Sequence, residues 1–259
     1  MSIRFIITVV LFCLISGVQA NPVYMEAIKE RPDEKQLAES REKILDYQEV
    51  KIRDDLDKHL PPFHRRAKQQ VNQGETFCQT CHLPLPHRHS LWTRALLNMH
   101  SRNIACSTCH FRPENVTFAY RWLDFSSEQV LDADSFRFRA GHDWDNENLS
   151  DGNVKIAPFW QSKPAVPLPS SSEAQAIARQ WREGDIEQKI RLHAHLHGPL
   201  EPQGLSCDGC HQEEKPLLDL QALGANLEQV KQIQRHVLPQ FFKRYRDKEQ
   251  KIRILDLTR

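Results

Sequence analysis

The chain has 259 residues, with 35 basic side chains, 34 acidic ones and a formal net charge of +1. That balance excludes a nucleic-acid partner held through its phosphates, which requires an excess of Lys and Arg. Beyond the N-terminus no apolar run approaches the roughly 20 residues that a membrane-spanning helix needs.

In chain order, residues 1–20 read "MSIRFIITVVLFCLISGVQA". Arg4 precedes an apolar run of roughly 14 residues that closes on "VQA", with Ala20 as the last residue removed, the layout of a secretory signal peptide. An uncleaved anchor is the alternative. Cleavage removes Arg4 and Cys13 and leaves a mature chain with no net charge. We therefore expect an exported, periplasmic protein without a stable membrane span.

Residues 33–58 are charged and lack Gly and Pro. They predict a helix burying Leu37, Ile44, Leu45 and Ile52, stopped by "HLPPF". A partly ordered arm is the alternative.

Next come "CQTCH" (Cys78–His82) and "CSTCH" (Cys106–His110), and far downstream "CDGCH" (Cys207–His211). All six cysteines of the mature chain lie in these units. On a helical turn, positions i, i+3 and i+4 share a face. Two thiols can then hold the edge of one macrocycle while the His reaches its metal. C-x-x-C-H is the attachment signature of c-type haem. Zinc would need pairs of C-x-x-C units folded together, which three units cannot supply evenly. Zinc would also leave the repeated His unexplained; a redox dithiol can carry a single C-x-x-C-H, but three copies with no leftover cysteine favour haem. At these pentapeptides the chain resembles the multihaem c-type cytochromes. The resemblance implies three covalent haems, held by Cys78, Cys81, Cys106, Cys109, Cys207 and Cys210, with His82, His110 and His211 as proximal iron ligands.

The mature chain has only Met25 and Met99 as thioether ligands. It has ten His outside the motifs: His59, His64, His87, His89, His100, His142, His193, His195, His197 and His236. That supply favours bis-histidine irons. The His upstream of each motif, namely His100, His197 and His64, are the first candidates for distal ligands. The resemblance implies that such ligands often cross to a neighbouring haem. His87 and His89 could replace His64 or serve the second haem. His193 and His197 share one helical face, with His195 on another.

Between Lys68 and Lys155 the chain has no Lys but seven Arg: Arg88, Arg94, Arg102, Arg112, Arg121, Arg137 and Arg139. Several of these are candidates to bind haem propionates, since Arg grips carboxylates bidentately. Ion pairs with nearby acids are the plain alternative. In "FAYRWLDF", Phe118, Tyr120 and Trp122 alternate as in a short strand.

Residues 145–172 read as a Pro-rich linker loop. Its acidic residues do not match the spacing of a calcium loop. Helices return from Glu173, with Ser172 and Gln175 as a capping box. A second helix is expected from Asp185 to His197, and a third stretch from Leu217 to Tyr245, with Asn226 as an N-cap.

The expected organisation is thus a signal peptide (1–20), a region with two haems (21–144), the linker (145–172) and a helical region with the third haem (173–259). The expected fold class is mainly α, irregular and loop-rich, with the haems completing the core. The expected function is electron transfer between a redox donor and acceptor, without enzymatic activity. The alternatives are a haem enzyme with one open iron, reducing a small nitrogen, sulfur or peroxide substrate, and a permanent subunit of a larger redox complex.

Overall fold

The computed structural model describes residues 22–49, 76–83, 85–87, 96–133 and 153–239. The expected signal peptide (1–20), His59, His64, His89, His142, Arg88, Arg94, Arg137, Arg139 and the charged C-terminal tail lie outside the described residues. So do residues 50–58 of the first predicted helix and the segment after Pro239.

The mainly α, loop-rich expectation is overturned by a four-stranded antiparallel sheet. Its strands are β1 (Ala119–Asp124), β2 (Gln129–Leu131), β3 (Val154–Trp160) and β4 (Lys163–Pro164). Their spatial order is β2-β1-β3-β4. The "linker" of residues 145–172 supplies two of the four strands. Its prolines are tolerated for a local reason. The Pro158 carbonyl accepts from Ala165 N at 2.9 Å, on the side facing β4. The missing Pro158 N–H points the same way, toward a two-residue edge strand, so the ladder to β1 loses nothing. β3 is buried over most of its length, as a strand covered on both faces must be.

The alternation in "FAYRWLDF" does form a strand, β1. It pairs Trp122 with Leu131 in β2 and with Ile156 in β3. Asp124 starts the hairpin turn by accepting from Ser126 N at 2.9 Å, an Asx-type turn.

Helices of the described residues include α1 (Val23–Ala27), α2 (Glu34–Glu49), α3 (Asn98–Asn103), α4 (Cys106–His110), α5 (Ser172–Glu183), α6 (Ile186–His197) and α7 (Leu227–Gln234). Helix α6 begins as predicted: Asp185 and Gln188 form a reciprocal capping box. Asn226 and Gln229 do the same for α7. The cap of α5 is Ser171, not Ser172; its hydroxyl accepts from Ala174 N at 3.2 Å. Within the third predicted stretch, from Leu217, the described residues are helical over α7 and again at 237–239; Leu217 to Ala225 are bends and turns. In α2, Leu37 and Ile44 are half-buried, Leu45 is exposed and Ser40 is buried. The helix docks on α6 through polar contacts. Arg41 binds Glu187 bidentately at 2.5 and 2.7 Å, and Ser40 Oγ lies 2.9 Å from His193 Nδ1.

Three apolar clusters form the core. Tyr24, Ile28, Phe77, Phe111, Ala165, Ala174, Ile177 and Leu196 make the first. Ala105, Leu123, Ala157 and Phe159 make the second, and Trp122, Ile156, Leu218 and Leu223 the third. Each cluster abuts one of the C-x-x-C-H units: Cys78 packs on the first and Cys210 on the third, while Ala105 of the second immediately precedes Cys106.

Candidate functional site

Each pentapeptide folds as a single helical turn, so the two Cys and the His come to one side as the spacing predicts. Cys78–Thr80 lie in a 3-10 turn capped by Thr76, whose side chain accepts from Gln79 N. Cys106–His110 is α4. Cys207–Gly209 is a second 3-10 turn, and His211 N closes on Cys207 O at 2.9 Å. Gly209 fits there because a Cβ would lie 2.4 Å from Leu205 side-chain carbons.

The sheet holds the second and third units. Ile156 O of β3 accepts from Ala105 N at 2.9 Å and from Thr108 Oγ1, inside the pentapeptide, at 2.8 Å. The Trp122 indole N–H of β1 donates to Leu223 O at 2.9 Å, anchoring the loop after the third unit. The first unit is held by aromatics: Tyr24 stands edge-on to Phe77 and to Phe111, with ring centres 5.6 and 5.2 Å away. The Tyr24 hydroxyl donates to Leu196 O at 2.5 Å, and burial raises its pKa strongly.

Each motif His faces one His from outside its own unit. His82 faces His197, with ring centres 5.8 Å apart. His110 faces His87 at 6.4 Å. His211 faces His100 at 5.9 Å. We refer to these pairs as sites 1, 2 and 3. A metal held by two imidazoles at roughly 2.0–2.1 Å per bond sets the ring centres about 6 Å apart, once about 1 Å from nitrogen to ring centre is added on each side. By contrast, His193 stacks on His197 at 3.9 Å with an 18° interplanar angle, which is van der Waals contact with no room between the rings.

The other ring nitrogen of most of these His is tied back. His100 Nδ1 lies 2.8 Å from Leu96 O, His110 Nδ1 2.7 Å from Glu201 O, His197 Nδ1 2.8 Å from His193 O and His211 Nδ1 2.6 Å from Ile233 O. A carbonyl only accepts, so each Nδ1 carries the proton and Nε2 keeps its lone pair. This is the arrangement of metal-ligating His, whose second nitrogen is oriented by a hydrogen bond. Burial lowers the pKa of His82, His87 and His211, and takes His197 down to about 4. All four are neutral and ligand-competent near neutral pH.

Gly204 makes room for site 2. Its φ is +64°, and a Cβ there would lie 3.0 Å from His110 Cε1.

Four of the thiols, Cys78, Cys81, Cys109 and Cys210, are held protonated, and Cys106 alone among those with a shift is drawn down, to about 7. Burial pushes Cys81 up to about 11, and also Cys109, where the neighbouring Cys106 adds to the effect. Cys210 is pushed up to about 12, first by burial and then by Cys109. A reactive dithiol needs a depressed pKa. Cys78 and Cys106 interact directly. That contact raises Cys78 and lowers Cys106, which Lys155 also favours as the anion. The first and second units therefore meet at Cys78 and Cys106, and the second and third approach at Cys109 and Cys210. The six cysteines form no disulfide.

Of the sequence candidates, His100 and His197 reach motif His, each in a unit other than the one it precedes. His64 lies outside the described residues; His87, its alternative, faces His110. Among the arginines, Arg112 pairs with Glu201, whose carbonyl holds His110. Arg121 lies over the Phe159 ring at 5.7 Å. Sequence reasoning missed Lys155, which is buried and donates to Ser101 O at 2.7 Å and Arg102 O at 3.0 Å, at the end of α3. Its neighbours are all apolar in sequence, and nothing there marks it as a helix anchor.

Among the described residues no helix is long and apolar enough to cross a membrane, and no group of three or more His, Cys, Asp or Glu could hold a metal ion by itself. A haem asks less of the chain: two axial ligands and two thiols. No protein-family model, curated protein or solved structure matches the chain.

Proposed function

We propose that the protein is an exported triheme c-type cytochrome that passes electrons between a redox donor and an acceptor. The observation that carries this reading is the set of three imidazole pairs. Each joins one motif His to one outside His at a spacing that fits a metal between them. Two Cys of the same unit lie on the turn beside each motif His, as covalent haem attachment requires.

When bound, haem supplies one-electron chemistry by cycling its iron between ferrous and ferric states. The residues do the rest. His82 and His197, His110 and His87, and His211 and His100 are the residues that would hold the three irons, each pair already in place in the folded chain. Two imidazole ligands would keep the potential below that of a His/Met site. The thiol approaches support an unbranched order with site 2 in the middle. Cys78 and Cys106 bring units one and two together, and Cys109 and Cys210 bring units two and three together.

Three closed pairs favour a carrier over a reductase, which needs an open iron. The signal-peptide pattern supports export to the periplasm. The test is expression with c-type haem maturation, followed by haem quantitation, optical spectra and ferric EPR. Three low-spin haems per chain are expected. A high-spin fraction near one in three would overturn the carrier reading in favour of an enzyme.

A further inference from the structure

Site 2 differs from the others in how its outside ligand is held. His100 and His197 sit on helices, and their Nδ1 atoms reach the carbonyl one turn back. His87 lies outside any helix or strand, so no helical turn presents a carbonyl to its ring. Its partner is the side chain of Asn98. Asn98 Oδ1 accepts from His87 N at 3.1 Å, Asn98 Nδ2 donates to His87 O at 3.0 Å, and Oδ1 also lies 3.1 Å from His87 Nδ1.

The first two bonds fix which way the amide faces, because a backbone N–H only donates and a carbonyl only accepts. With the amide fixed, the atom facing the ring is an oxygen, so Nδ1 must carry the proton. Nε2 is then the nitrogen with a free lone pair. One side chain thus sets the position of residue 87, the orientation of its ring and its tautomer.

Asn98 is also the first residue of α3, two residues before His100. The far end of α3 is pinned by Lys155. The helix that carries the outside ligand of site 3 therefore also carries the clamp on the outside ligand of site 2.

We propose that Asn98 is a positioning residue for site 2, holding His87 as the neutral Nε2 ligand of the iron bound by His110. The inference rests on the bis-histidine haem reading above. It goes beyond that reading in assigning a residue that touches neither iron nor haem.

The experiment uses the full chain with three attached haems and compares Asn98→Leu and Asn98→Asp with His87→Ala. Asn98→Leu loses all three bonds. One haem in three is expected to bind carbon monoxide when reduced and to show a high-spin ferric fraction, and it should be the haem that His87→Ala opens. Asn98→Asp keeps both acceptor bonds and places a carboxylate on Nδ1–H, which makes the imidazole more basic. That same haem should stay low-spin, with its potential shifted negative and its EPR g-values moved, while the other two are unchanged.

The proposal is overturned if Asn98→Leu leaves all three haems low-spin and closed to carbon monoxide, or if the affected haem differs from that of His87→Ala. Should Asn98→Leu fail to accumulate, Asn98→Asp decides: an unaltered potential and spectrum at the His87 haem overturns it. The wild-type spectra separate the two levels. Three low-spin haems in the wild type with no effect at Asn98 sinks only the positioning role, whereas a wild type without bis-histidine haems sinks both.

Discussion

His100 stands almost perpendicular to His211, with ring centres 5.9 Å apart, although the motif His next to it in sequence is His110. His110 faces His87, and His197, just upstream of the third motif, faces His82. Each pair is therefore built from two different sequence units, and the pairing can be tested one site at a time.

If the pairing is crossed in this way, His100→Ala and His211→Ala remove the same low-spin EPR signal, and His197→Ala and His82→Ala remove another. His100→Met should raise the potential of the haem fastened by Cys207 and Cys210, since methionine ligation raises potential. A shift at the haem fastened by Cys106 and Cys109 instead would refute the crossing.

Gly204→Ala should act on site 2 alone. The substitution forces an L-residue to φ +64° and sets a Cβ 3.0 Å from His110 Cε1. The expected loss is about 1–2 kcal/mol, from strain at a positive φ. Thermal melting measures that loss. EPR should show the disturbance confined to the signal that His87→Ala also alters.

The six pentapeptide thiols and the helical turns that carry them were legible from spacing alone, because C-x-x-C-H fixes a local geometry that a single turn satisfies. The cap at Asn226 was legible for the same reason, as short-range hydrogen bonding, and so was the start of α6 near Asp185. The sheet was only half visible. β1 has one exposed and one buried face near its start and shows alternation. β3, "VKIAPFW", is buried on both faces and contains a proline, so neither period nor composition marks it as a strand. The pairing of the His was not legible. It depends on β3 crossing beside β1 and on α6 returning to the first motif, which no local pattern encodes. The cap of α5 shifted by one residue because "SSS" offers three equivalent hydroxyls and packing of Ala174 and Ile177 selects Ser171.

Tyr24→Phe tests the packing of the first unit. The hydroxyl bond to Leu196 O is buried, and its loss should cost about 1 kcal/mol or somewhat more, because the carbonyl is left without this donor. For a chain of this size that lowers Tm by roughly 2–4 °C. The three EPR signals should be unchanged, since the ring contacts with Phe77 and Phe111 remain. Thermal melting beside EPR checks both halves.

Lys155→Met removes a buried cation that donates to Ser101 O and Arg102 O. Leaving those carbonyls without that donor should cost about 1–3 kcal/mol. Because α3 carries His100, the site 3 signal should broaden more than that of site 1. Equal broadening at both would show that Lys155 supports the whole fold and not this helix in particular.

Protein prepared without haem should lose cooperative melting. Sites 1, 2 and 3 each leave two half-buried to exposed imidazoles facing one another, and the three apolar clusters that adjoin the cysteines lose the flat apolar surface that would cover them, worth roughly 25 cal/mol per Å². Circular dichroism against temperature is the check; a sharp transition in the haem-free chain would contradict this.

The crossing of the pairs has a consequence for how the protein is made and how it can change. As the chain emerges from its N-terminus, His82 waits for His197 and His100 waits for His211. Only His87 and His110 meet early. The molecule thus cannot be read as three interchangeable modules strung in a row. Cutting out any one pentapeptide with its flanking sequence leaves orphaned imidazoles in another, so duplication or loss of a single unit is not a small step for this architecture.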